Sequence, residues 1–339
     1  MINITNNTDF FKYSLDKEYF LQTEIIPIYQ HFIDKAIYTI AITVYNRVDF
    51  LKQCIDSAIS QKTETIYSII VIDDFPQRNN NVEKLMMQYA NFPNISYYKK
   101  SRNEGLINNM NRCFILSHTK WVISIHDDDW LLPNYIEEVD KFRKKHPDYK
   151  CFIPSHETLW FGRFVQTKSY LREKLSSIRY CWRILPTDFI NGTCATPTGS
   201  LIEREAFLKS GGYNSQYGMA ADYVFFAKFS SKEKIMRINK KLFVYRYAEN
   251  ESLKQSTQDE FKIIGHHLCI YLLEHYTSLT KRLIQLYENE RIFLDFQGNK
   301  ENIYRVLGID IKNKTWKRSS FIYSCINLYY KTKKMIRIL

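Results

Sequence analysis

The chain has 339 residues, and 48 Lys and Arg against 36 Asp and Glu give a formal net charge of +12. A hydrophobic content of 45% with 25% charged residues is that of a globular protein and excludes wholesale disorder. No apolar run approaches the roughly 18–20 residues needed to span a bilayer, and the first residues do not resemble an export signal. The positive charge leaves nucleic acid, a phospholipid surface and a phosphorylated small molecule open as partners.

The seven cysteines are scattered and form no C-x-x-C pair, which argues against a disulfide framework or a zinc knuckle. We therefore expect a reduced, cytosolic protein. The sequence lacks the glycine-rich dinucleotide fingerprint, the P-loop pattern and the G-x-S-x-G nucleophile elbow. These absences argue against a classical dinucleotide enzyme, a P-loop NTPase and an α/β-hydrolase.

Strand and helix patterns alternate through the first half of the chain. Residues 1–35 are mixed and polar, and we interpret them as an extension packed against the rest. Strands are predicted over 37–44, 66–72, 95–98, 121–125 and 149–153, and helices over 48–60, 82–89, 106–116 and 134–145. This alternation with short connections is typical of βαβ units and a mostly parallel, twisted sheet.

The alternation weakens after residue 155. A helix is predicted over 201–210, another begins near Asp222, and 260–297 has a helical pattern. Residues 311–339 contain no acidic residue and alternate Lys and Arg with aromatic and aliphatic side chains. A solvated helix, a nucleic-acid patch and a membrane-surface helix are the three interpretations, and the alternation favours an anionic bilayer surface.

Three polar clusters follow predicted strands. Residues 45–47 (Tyr-Asn-Arg) follow the first strand, Asp73 and Asp74 follow the second, and residues 127–129 (Asp-Asp-Asp) follow the fourth. Because ligands of parallel sheets bind outside the carboxyl ends of the strands, we expect these clusters to form one site.

Three adjacent carboxylates repel one another, so a fold that concentrates them usually supplies a cation. Oxygen ligands select a hard ion, Mg²⁺ or Mn²⁺. A solvated acidic turn is the alternative, and the position at a strand end beside two other polar clusters favours the metal site.

Two further roles follow from side-chain chemistry. Asp74 can accept a hydrogen bond from a base N–H such as that of uracil, and Tyr45 and Arg102 could hold a base by stacking and cation–π contact. Asp222 is the candidate general base, beside the small residues Gly218 and Ala221. Its alternative role is that of an ordinary first-turn helix residue.

Four segments in this order resemble the family 2 inverting glycosyltransferases of GT-A fold. They are 42–47 (Ile-Thr-Val-Tyr-Asn-Arg), 71–74 (Val-Ile-Asp-Asp), 103–105 (Asn-Glu-Gly) and 126–133 (His-Asp-Asp-Asp-Trp-Leu-Leu-Pro). The resemblance covers about residues 37–250. It implies an α/β fold with a Rossmann-like mixed sheet flanked by helices.

The resemblance also implies roles for individual residues. The nucleotide-sugar would be held by Thr43, Tyr45, Arg47, Asp74, Arg102 and Asp127. The main metal ligand would be Asp128, joined by Asp127 or Asp129, because His126 stands where the family has its first acid. The position of the catalytic base falls on Asp222. The acceptor side would include Gly199, Ser200 and Arg246.

We therefore expect an N-terminal extension over 1–35, a GT-A domain over 36–252 and a basic helical region over 253–339. Within the GT-A domain, 36–130 would be the nucleotide-binding half and 131–252 the acceptor half. The expected reaction is inverting transfer of a hexose from a UDP-sugar to a glycan hydroxyl, dependent on Mn²⁺ or Mg²⁺. The acceptor is expected to be lipid-linked and to belong to surface polysaccharide synthesis, such as O-antigen or capsule.

The expected location is the cytoplasm, peripheral on the inner face of the membrane through residues 311–339, without a nucleic-acid partner. Two alternatives stay open. A nucleotide-sugar pyrophosphorylase would share a similar sheet and metal, but would need a Gly-rich loop after the first strand, where residues 45–47 stand. A nucleic-acid-binding module would explain the basic tail without the acids.

Overall fold

A computed structural model of the protein describes residues 4–5, 8–45, 47–74, 80–165, 181–248, 253–309, 311 and 316–338. The strands in these ranges are β1 (Ile25–Tyr29), β2 (Tyr38–Val44), β3 (Tyr67–Asp73), β4 (Ile95–Lys100), β5 (Trp121–His126), β6 (Trp130–Leu131), β7 (Cys151–Trp160), β8 (Arg163–Val165), β9 (Cys181–Ile184), β10 (Ser200–Glu203) and β11 (Ile235–Tyr247). They form one mixed sheet in the spatial order β1-β4-β3-β2-β5-β10-β7-β11-β6, with β8 beside β7 and β9 beside β11.

The α-helices in the described ranges lie between and after these strands. They are α1 (Lys17–Leu21), α2 (Val48–Ile59), α3 (Asn81–Met87), α4 (Gly105–Leu116), α5 (Tyr135–Lys145), α6 (Arg204–Lys209), α7 (Ala221–Lys232), α8 (Gln255–Tyr276), α9 (Lys281–Asp295), α10 (Lys300–Leu307) and α11 (Ser320–Ile338). Two short 3₁₀ turns, Pro186–Phe189 and Ser215–Ala220, precede β10 and α7.

The parallel half of the sheet is the part that the sequence predicts well. Strands β4, β3, β2 and β5 are parallel neighbours, and every residue of β2 is buried. Burial on both faces explains the continuous apolar run that predicts β2, because such strands need no polar face. The register sets Val44 opposite Asp73 and Thr43 opposite His126, so the three polar clusters emerge at one edge of the sheet.

The other half of the sheet differs from the prediction. Strand β10 pairs antiparallel with β5 and β7, and it occupies the start of the helix predicted over 201–210. All four of its residues are buried between those strands, so pairing overrides the local helical pattern there. Strand β11 runs parallel to β7 for most of its length and was not predicted.

Helices cover the sheet on both faces and give two hydrophobic cores. One core joins alternate residues of β2 such as Ile40 and Ile42 to α2, α3 and α5, and the other contains Ala41 with residues of α4, α7 and α8. Alternation of side chains along the strand distributes these residues to the two faces. The mixed α/β architecture predicted from the sequence is therefore present.

The N-terminal segment packs closely on the rest of the protein. Strand β1 adds to the sheet edge by pairing antiparallel with β4, and Phe10 is buried in the larger core. The Lys228 ammonium donates a hydrogen bond of 2.7 Å to the carbonyl oxygen of Tyr13 and lies 3.3 Å from the centre of its ring. The N-terminal extension therefore packs on the rest of the protein as predicted, through the added strand β1 and through the aromatic side chains of Phe10 and Tyr13.

The C-terminal region is helical, and the stretch predicted over 260–297 is broken into α8 and α9. The break falls at residues 277–280, where the Thr280 hydroxyl accepts a hydrogen bond from the N–H of Leu283 and caps α9. None of the helices in the described parts of the chain combines the length and apolar content that crossing a bilayer requires.

A buried ion cluster joins α8 to α9. The Glu288 Oε1 atom lies 2.8 Å from His266 Nδ1 and 2.6 Å from Arg291 Nη2. We expect Glu288→Gln to lower the free energy of unfolding by up to about 3–5 kcal/mol, because it removes the nearest counter-charge of the Arg291 guanidinium and leaves only Asp295, at 3.8 Å, among the described residues. Urea denaturation would measure this loss, with the exposed Glu301→Gln in α10 as a control expected within about 0.5 kcal/mol of wild type.

The same cluster predicts an acid dependence. Although burial opposes ionisation, Arg291 and His266 lower the pKa of Glu288 from 4.5 to about 2. Its stabilising contribution is therefore present above the ordinary carboxyl pKa and lost as the pH falls towards 2. Wild type should lose stability over this range more steeply than Glu288→Gln. Parallel pH curves for the two proteins would contradict the role of this charge.

Candidate active site

The centre of the site is the acidic segment after β5. Asp127 and Asp128 are 5% exposed and Asp129 is 1% exposed, although all three are charged residue types. The N–H of Asp129 bonds to the carbonyl oxygen of His126 at 3.2 Å and closes a tight turn there. Buried carboxylates require partners, and those of the three acids come from different parts of the sheet.

Asp129 is held by residues from the second half of the sheet. The Thr198 hydroxyl donates to Oδ2 at 2.7 Å, and the backbone N–H of Arg246 donates to Oδ1 at 2.9 Å. Burial, followed by the charge of Asp128, raises the pKa of Asp129 well above its ordinary value. A nearby positive charge would therefore strongly favour the ionised form of the Asp129 carboxyl group.

Asp127 and Asp128 are held by the segment that follows β2. The N–H of Tyr45 donates to Asp127 Oδ2 at 3.2 Å. The Arg47 guanidinium forms a hydrogen-bonded ion pair with Asp128 and lies 3.6 Å from Asp127 Oδ1. The structure therefore brings two predicted nucleotide-binding residues and the predicted metal ligands together.

Arg246, predicted on the acceptor side, lies against the same acidic segment. Its Nε donates to the carbonyl oxygen of Asp128 at 2.9 Å, and its Nη2 donates to Gln53 Oε1 at 2.6 Å. The guanidinium lies 4.0 Å from the centre of the Phe50 ring and 4.9 Å from that of Trp130. Arg246 thus connects the end of β11 to α2 across the acidic turn.

Asp74 lies at the same sheet edge within a buried ionic network. Lys100 forms an ion pair with Asp74 and lies 3.1 Å from Glu104, whose N–H donates to Asp74 at 2.9 Å. Arg112 makes two hydrogen bonds to Glu104, at 2.8 and 2.9 Å. Burial raises the pKa of Asp74, with Lys100 opposing the rise. For Glu104 burial acts in the same sense, but the hydrogen bonds from Arg112 and the charge of Lys100 lower its pKa to about 2.

Two other predicted nucleotide-binding residues are placed by their local contacts. Thr43 is buried in β2 opposite His126. Arg102 donates from Nε to the Thr23 hydroxyl at 2.8 Å and lies 5.7 Å from the centre of the Tyr19 ring. The side chain of Arg102 is therefore anchored on the N-terminal segment, which the sequence analysis did not connect with the site.

The candidate base Asp222 lies in the first turn of α7. Its side chain accepts a hydrogen bond of 2.7 Å from the N–H of Tyr223, and the Ala220 position before the helix carries no side-chain cap. Burial raises the pKa of Asp222 to about 7, against the lowering effect of that backbone hydrogen bond. A carboxyl group poised near neutrality is suited to proton transfer.

Asp222 and the acidic turn act on a common neighbour. After burial, the charges of Asp129, Asp128 and Asp222 raise the pKa of the Tyr245 phenol. The Tyr245 phenol at the end of β11 is therefore under the electrostatic influence of both the acidic turn and Asp222. That Asp222 faces the acidic turn across the donor site stays a prediction.

The predicted acceptor residues Gly199 and Ser200 are packed inside the protein. Gly199 has φ +70°, and a Cβ atom there would lie 2.5 Å from the Phe243 ring. Its carbonyl oxygen accepts from the Tyr135 hydroxyl at 2.8 Å, and the Ser200 hydroxyl bonds to the carbonyl oxygen of Thr196. Both residues shape the entry into β10.

A metal ion has a chemically suitable set of ligands in this turn. One ligand atom each from His126, Asp128 and Asp129 lies within 4.8 Å of the other two. The buried His126 Nε2 has no hydrogen-bond partner among the described residues, and burial lowers the pKa of His126 and favours the neutral, ligating form. Two carboxylates and an imidazole suit a divalent ion such as Mn²⁺. His126 was not predicted as a metal ligand, although its position directly before the acids was a signal.

Comparison with known proteins agrees with this architecture. Residues 39–211, more than half of the chain, match the family described as Glycosyl transferase family 2. The fold and the site define a sugar-transferring enzyme of GT-A type. The chain belongs to glycosyl transferase family 2. This membership confirms the resemblance to that family seen in the sequence and identifies the protein as a glycosyltransferase.

Curated relatives include polysaccharide synthases. The chain is 23% identical to the chondroitin synthase of Escherichia coli over 239 residues, which are 68% of this chain and 32% of that one. It is 21% identical to the hyaluronan synthase of Pasteurella multocida over 242 residues, 71% of this chain and 24% of that one. An uncharacterized glycosyltransferase of Haemophilus influenzae is 22% identical over 72% of this chain and 78% of its own length. The chain thus spans only about a third to a quarter of the two synthases.

Solved structures of S. aureus TarS residues 1–349 share the fold. The match has a TM-score of 0.55 at 13% identity and covers 79% of this chain and 74% of that one. The same protein is also solved in complex with UDP and with UDP-GlcNAc. The similarity confirms the predicted fold class.

Proposed function

We propose that this family 2 glycosyltransferase moves a hexose from a UDP-sugar to a hydroxyl of a glycan acceptor, with inversion at the anomeric carbon. The observation that carries the proposal is the buried cluster of His126, Asp128 and Asp129 at the carboxyl end of the parallel strands, with the residues after β2 bonded to the acidic turn. The UDP complexes of TarS and the synthase relatives support a UDP-sugar donor and a polysaccharide product. A lipid-linked acceptor in surface polysaccharide synthesis fits this class of product.

The nucleotide would lie along the ends of β2, β3 and β5. Asp74, oriented by Lys100 and the Glu104 N–H, would accept a hydrogen bond from uracil. The exposed Tyr45 ring would stack on the base, and Thr43, Arg47, Arg102 and Asp127 would surround the base and the ribose. Preorganised partners reduce the cost of ordering the site on binding.

Asp222 would act as the general base. An acceptor hydroxyl is a weak nucleophile, so its proton must leave as the new bond to the anomeric carbon forms. The ionised Asp222 carboxylate takes this proton while UDP departs on the opposite side of the sugar. A single displacement of this kind inverts the anomeric centre and needs no covalent intermediate.

The departing diphosphate needs compensation for its negative charge. His126, Asp128 and Asp129 would hold a divalent ion, with Mn²⁺ or Mg²⁺ as candidates, and such an ion supplies Lewis-acid stabilisation to the leaving group. Arg47, after β2, and Arg246, near the end of β11, fix the position of the acidic segment by hydrogen bonds to Asp128. The N–H donors of Tyr45 and Arg246 keep two of the carboxylates oriented.

Replacing Asp222 by Asn tests the base. We expect kcat to fall by about 10²–10⁴-fold, with the affinity for UDP unchanged, because only proton transfer is removed. In wild type, kcat should rise with pH through about 7 as Asp222 loses its proton, and the variant should lack this dependence. Steady-state kinetics over pH and calorimetry with UDP measure both effects.

Asp49→Asn is the matched control, since Asp49 occupies the first turn of α2 and should leave kcat unchanged. Burial of the ionised Asp222 also opposes folding, so Asp222→Asn should unfold at the same or a higher temperature at alkaline pH. A variant with normal turnover would remove Asp222 from this role.

Replacing Asp128 by Ala tests the metal site. We expect Mn²⁺ to strengthen UDP binding in wild type and to have no effect on UDP binding in Asp128→Ala, because the central carboxylate ligand is lost. Calorimetry with and without Mn²⁺ measures the difference, with the exposed Asp34→Ala as a control. Undiminished Mn²⁺-dependent binding in Asp128→Ala would refute the assignment.

We further propose that α11 attaches the enzyme to an anionic membrane surface, on the inner face of the cytoplasmic membrane. One side of α11 packs on the protein through Ile326, which is 8% exposed. The other side presents Phe321, Leu328 and Tyr329, which are 76%, 67% and 58% exposed and recur at helical spacing. Lys331, Lys333, Lys334 and Arg337 follow in a tail without acids.

An apolar stripe followed in sequence by basic residues suits a bilayer of anionic lipids better than nucleic acid, which offers no hydrocarbon layer. We expect the triple variant Lys331→Gln, Lys333→Gln, Lys334→Gln to bind vesicles of phosphatidylcholine and phosphatidylglycerol at least about tenfold more weakly than wild type. Cosedimentation of the full-length protein measures this.

The control changes three exposed lysines elsewhere, Lys62, Lys209 and Lys232, to Gln and should bind as wild type. The variant Phe321→Ser, Leu328→Ser should also weaken binding, because it removes the apolar stripe. Equal cosedimentation of tail and control variants, or RNA binding without vesicle binding, would exclude the membrane role.

A further inference from the structure

An aromatic surface extends from the candidate active site to a hairpin that the sequence analysis did not interpret. Strands β7 and β8 form this hairpin, and Trp160 pairs with Arg163 around a two-residue turn of Phe161 and Gly162. The turn is attached to β11, because the N–H of Phe161 donates to the carbonyl oxygen of Tyr247 at 2.8 Å.

The parallel register of β7 and β11 aligns aromatic rings on one face. Trp160 stands opposite Tyr247, and Thr158 stands opposite Tyr245. Ring centres are 4.8 Å apart between Tyr245 and Tyr247, 4.8 Å between Tyr247 and Trp160, and 5.5 Å between Trp160 and Phe161. These four residues form a continuous row, which we call the aromatic row.

The inner end of the aromatic row is at the reaction centre. Tyr245 directly precedes Arg246, whose N–H donates a hydrogen bond of 2.9 Å to Asp129 in the acidic turn. The outer end is open to solvent, where Trp160 is 44% exposed and Phe161 is 61% exposed. The row therefore leads outward from the place where the glycosidic bond would form.

The first residue of the turn, Phe161, is aromatic although its backbone conformation disfavours a bulky side chain. Phe161 has φ +44° and Gly162 has φ +79°, the left-handed pair of a type I′ turn, in which Asn-Gly is the preferred sequence. A bulky residue at positive φ is strained and usually has a compensating reason. Burial does not supply one here, because the side chain of Phe161 is mostly exposed.

We propose that the aromatic row is the binding surface for the acceptor glycan, with pyranose rings stacked on Tyr247, Trp160 and Phe161 ahead of the reacting hydroxyl at Asp222. This inference rests on the proposed transferase function and adds the acceptor subsites to it. It identifies the acceptor as an oligosaccharide of several residues rather than a single small alcohol, because the row extends beyond one ring.

The chemistry of the row suits carbohydrate. A pyranose presents an apolar C–H face between polar hydroxyl edges, and the negative face of an aromatic ring attracts polarised C–H groups. A row of partly exposed rings joined to a catalytic cleft offers such faces in sequence.

Binding of glycans by the full-length protein in the presence of UDP tests the proposal. The probes are immobilised bacterial capsule and O-antigen oligosaccharides together with hyaluronan and chondroitin oligosaccharides. We expect wild type to capture a subset of them and Trp160→Ala to bind that subset about tenfold more weakly, as loss of a stacked aromatic anchor does. The affinity for UDP should not change.

Phe161→Asn is the matched variant that separates recognition from folding. It installs the preferred type I′ turn sequence and removes the exposed ring, so stability should be equal or higher while glycan binding falls. Phe32→Ala is the control, since Phe32 is 59% exposed elsewhere on the surface and should change neither property.

Capture of no glycan by wild type, or equal capture by wild type, Trp160→Ala and Phe161→Asn, would overturn the proposal. A change of vesicle binding or of oligomeric state in these variants without a change of glycan binding would also overturn it. Failure of the transferase function is distinguishable, because it would abolish UDP binding or turnover in wild type. Asp222→Asn should capture glycans normally.

Discussion

The structure depends on how three neighbouring buried carboxylates are compensated. Asp127, Asp128 and Asp129 follow β5, which is buried except at its last residue, and their mutual repulsion would open the turn without partners. Their partners come from two different parts of the sheet. Residues after β2 hold the first two acids, and the residues before β10 and at the end of β11 hold the third.

The acidic turn needs both halves of the sheet for its full set of partners. The parallel half of the sheet supplies the acids and Arg47, but Thr198 and Arg246 arrive only when β10 and β11 have paired. The acidic turn is therefore complete only in the fully folded sheet. The hydrogen bonds from Thr198 and Arg246 to Asp129 therefore link the two halves of the sheet at the site.

The sequence predicts the parallel half because burial on both faces leaves a simple signal. Strands β2, β3 and β5 are runs of β-branched residues, and the polar residues that end them are unmistakable. Strand β11 gives a poor signal because it carries several basic residues and two irregularities in its pairing with β7. The 13 residues of β11 form a strand because they pair with residues that lie far away in the sequence.

The site was predictable to the extent that its residues are local in sequence. The acids and their neighbours after β2 were expected together, and the structure brings them together. The ligand position of His126 and the aromatic row depend on tertiary geometry. Tyr245, Tyr247 and Trp160 form a row only through the register of two parallel strands, which local periodicity does not reveal.

The end of strand β11 carries a basic residue that bonds to the acidic turn between two tyrosines of the aromatic row. Successive side chains of a strand point to opposite faces, so Tyr245 and Tyr247 share one face and Arg246 takes the other. The pairing irregularities between Ile238 and Phe243 set this alternation. A shift by one residue would turn Arg246 towards the rings and a tyrosine towards the Asp128 carbonyl. The irregular pairing is therefore what aligns the basic side chain with the acids and the rings with the path leading outward.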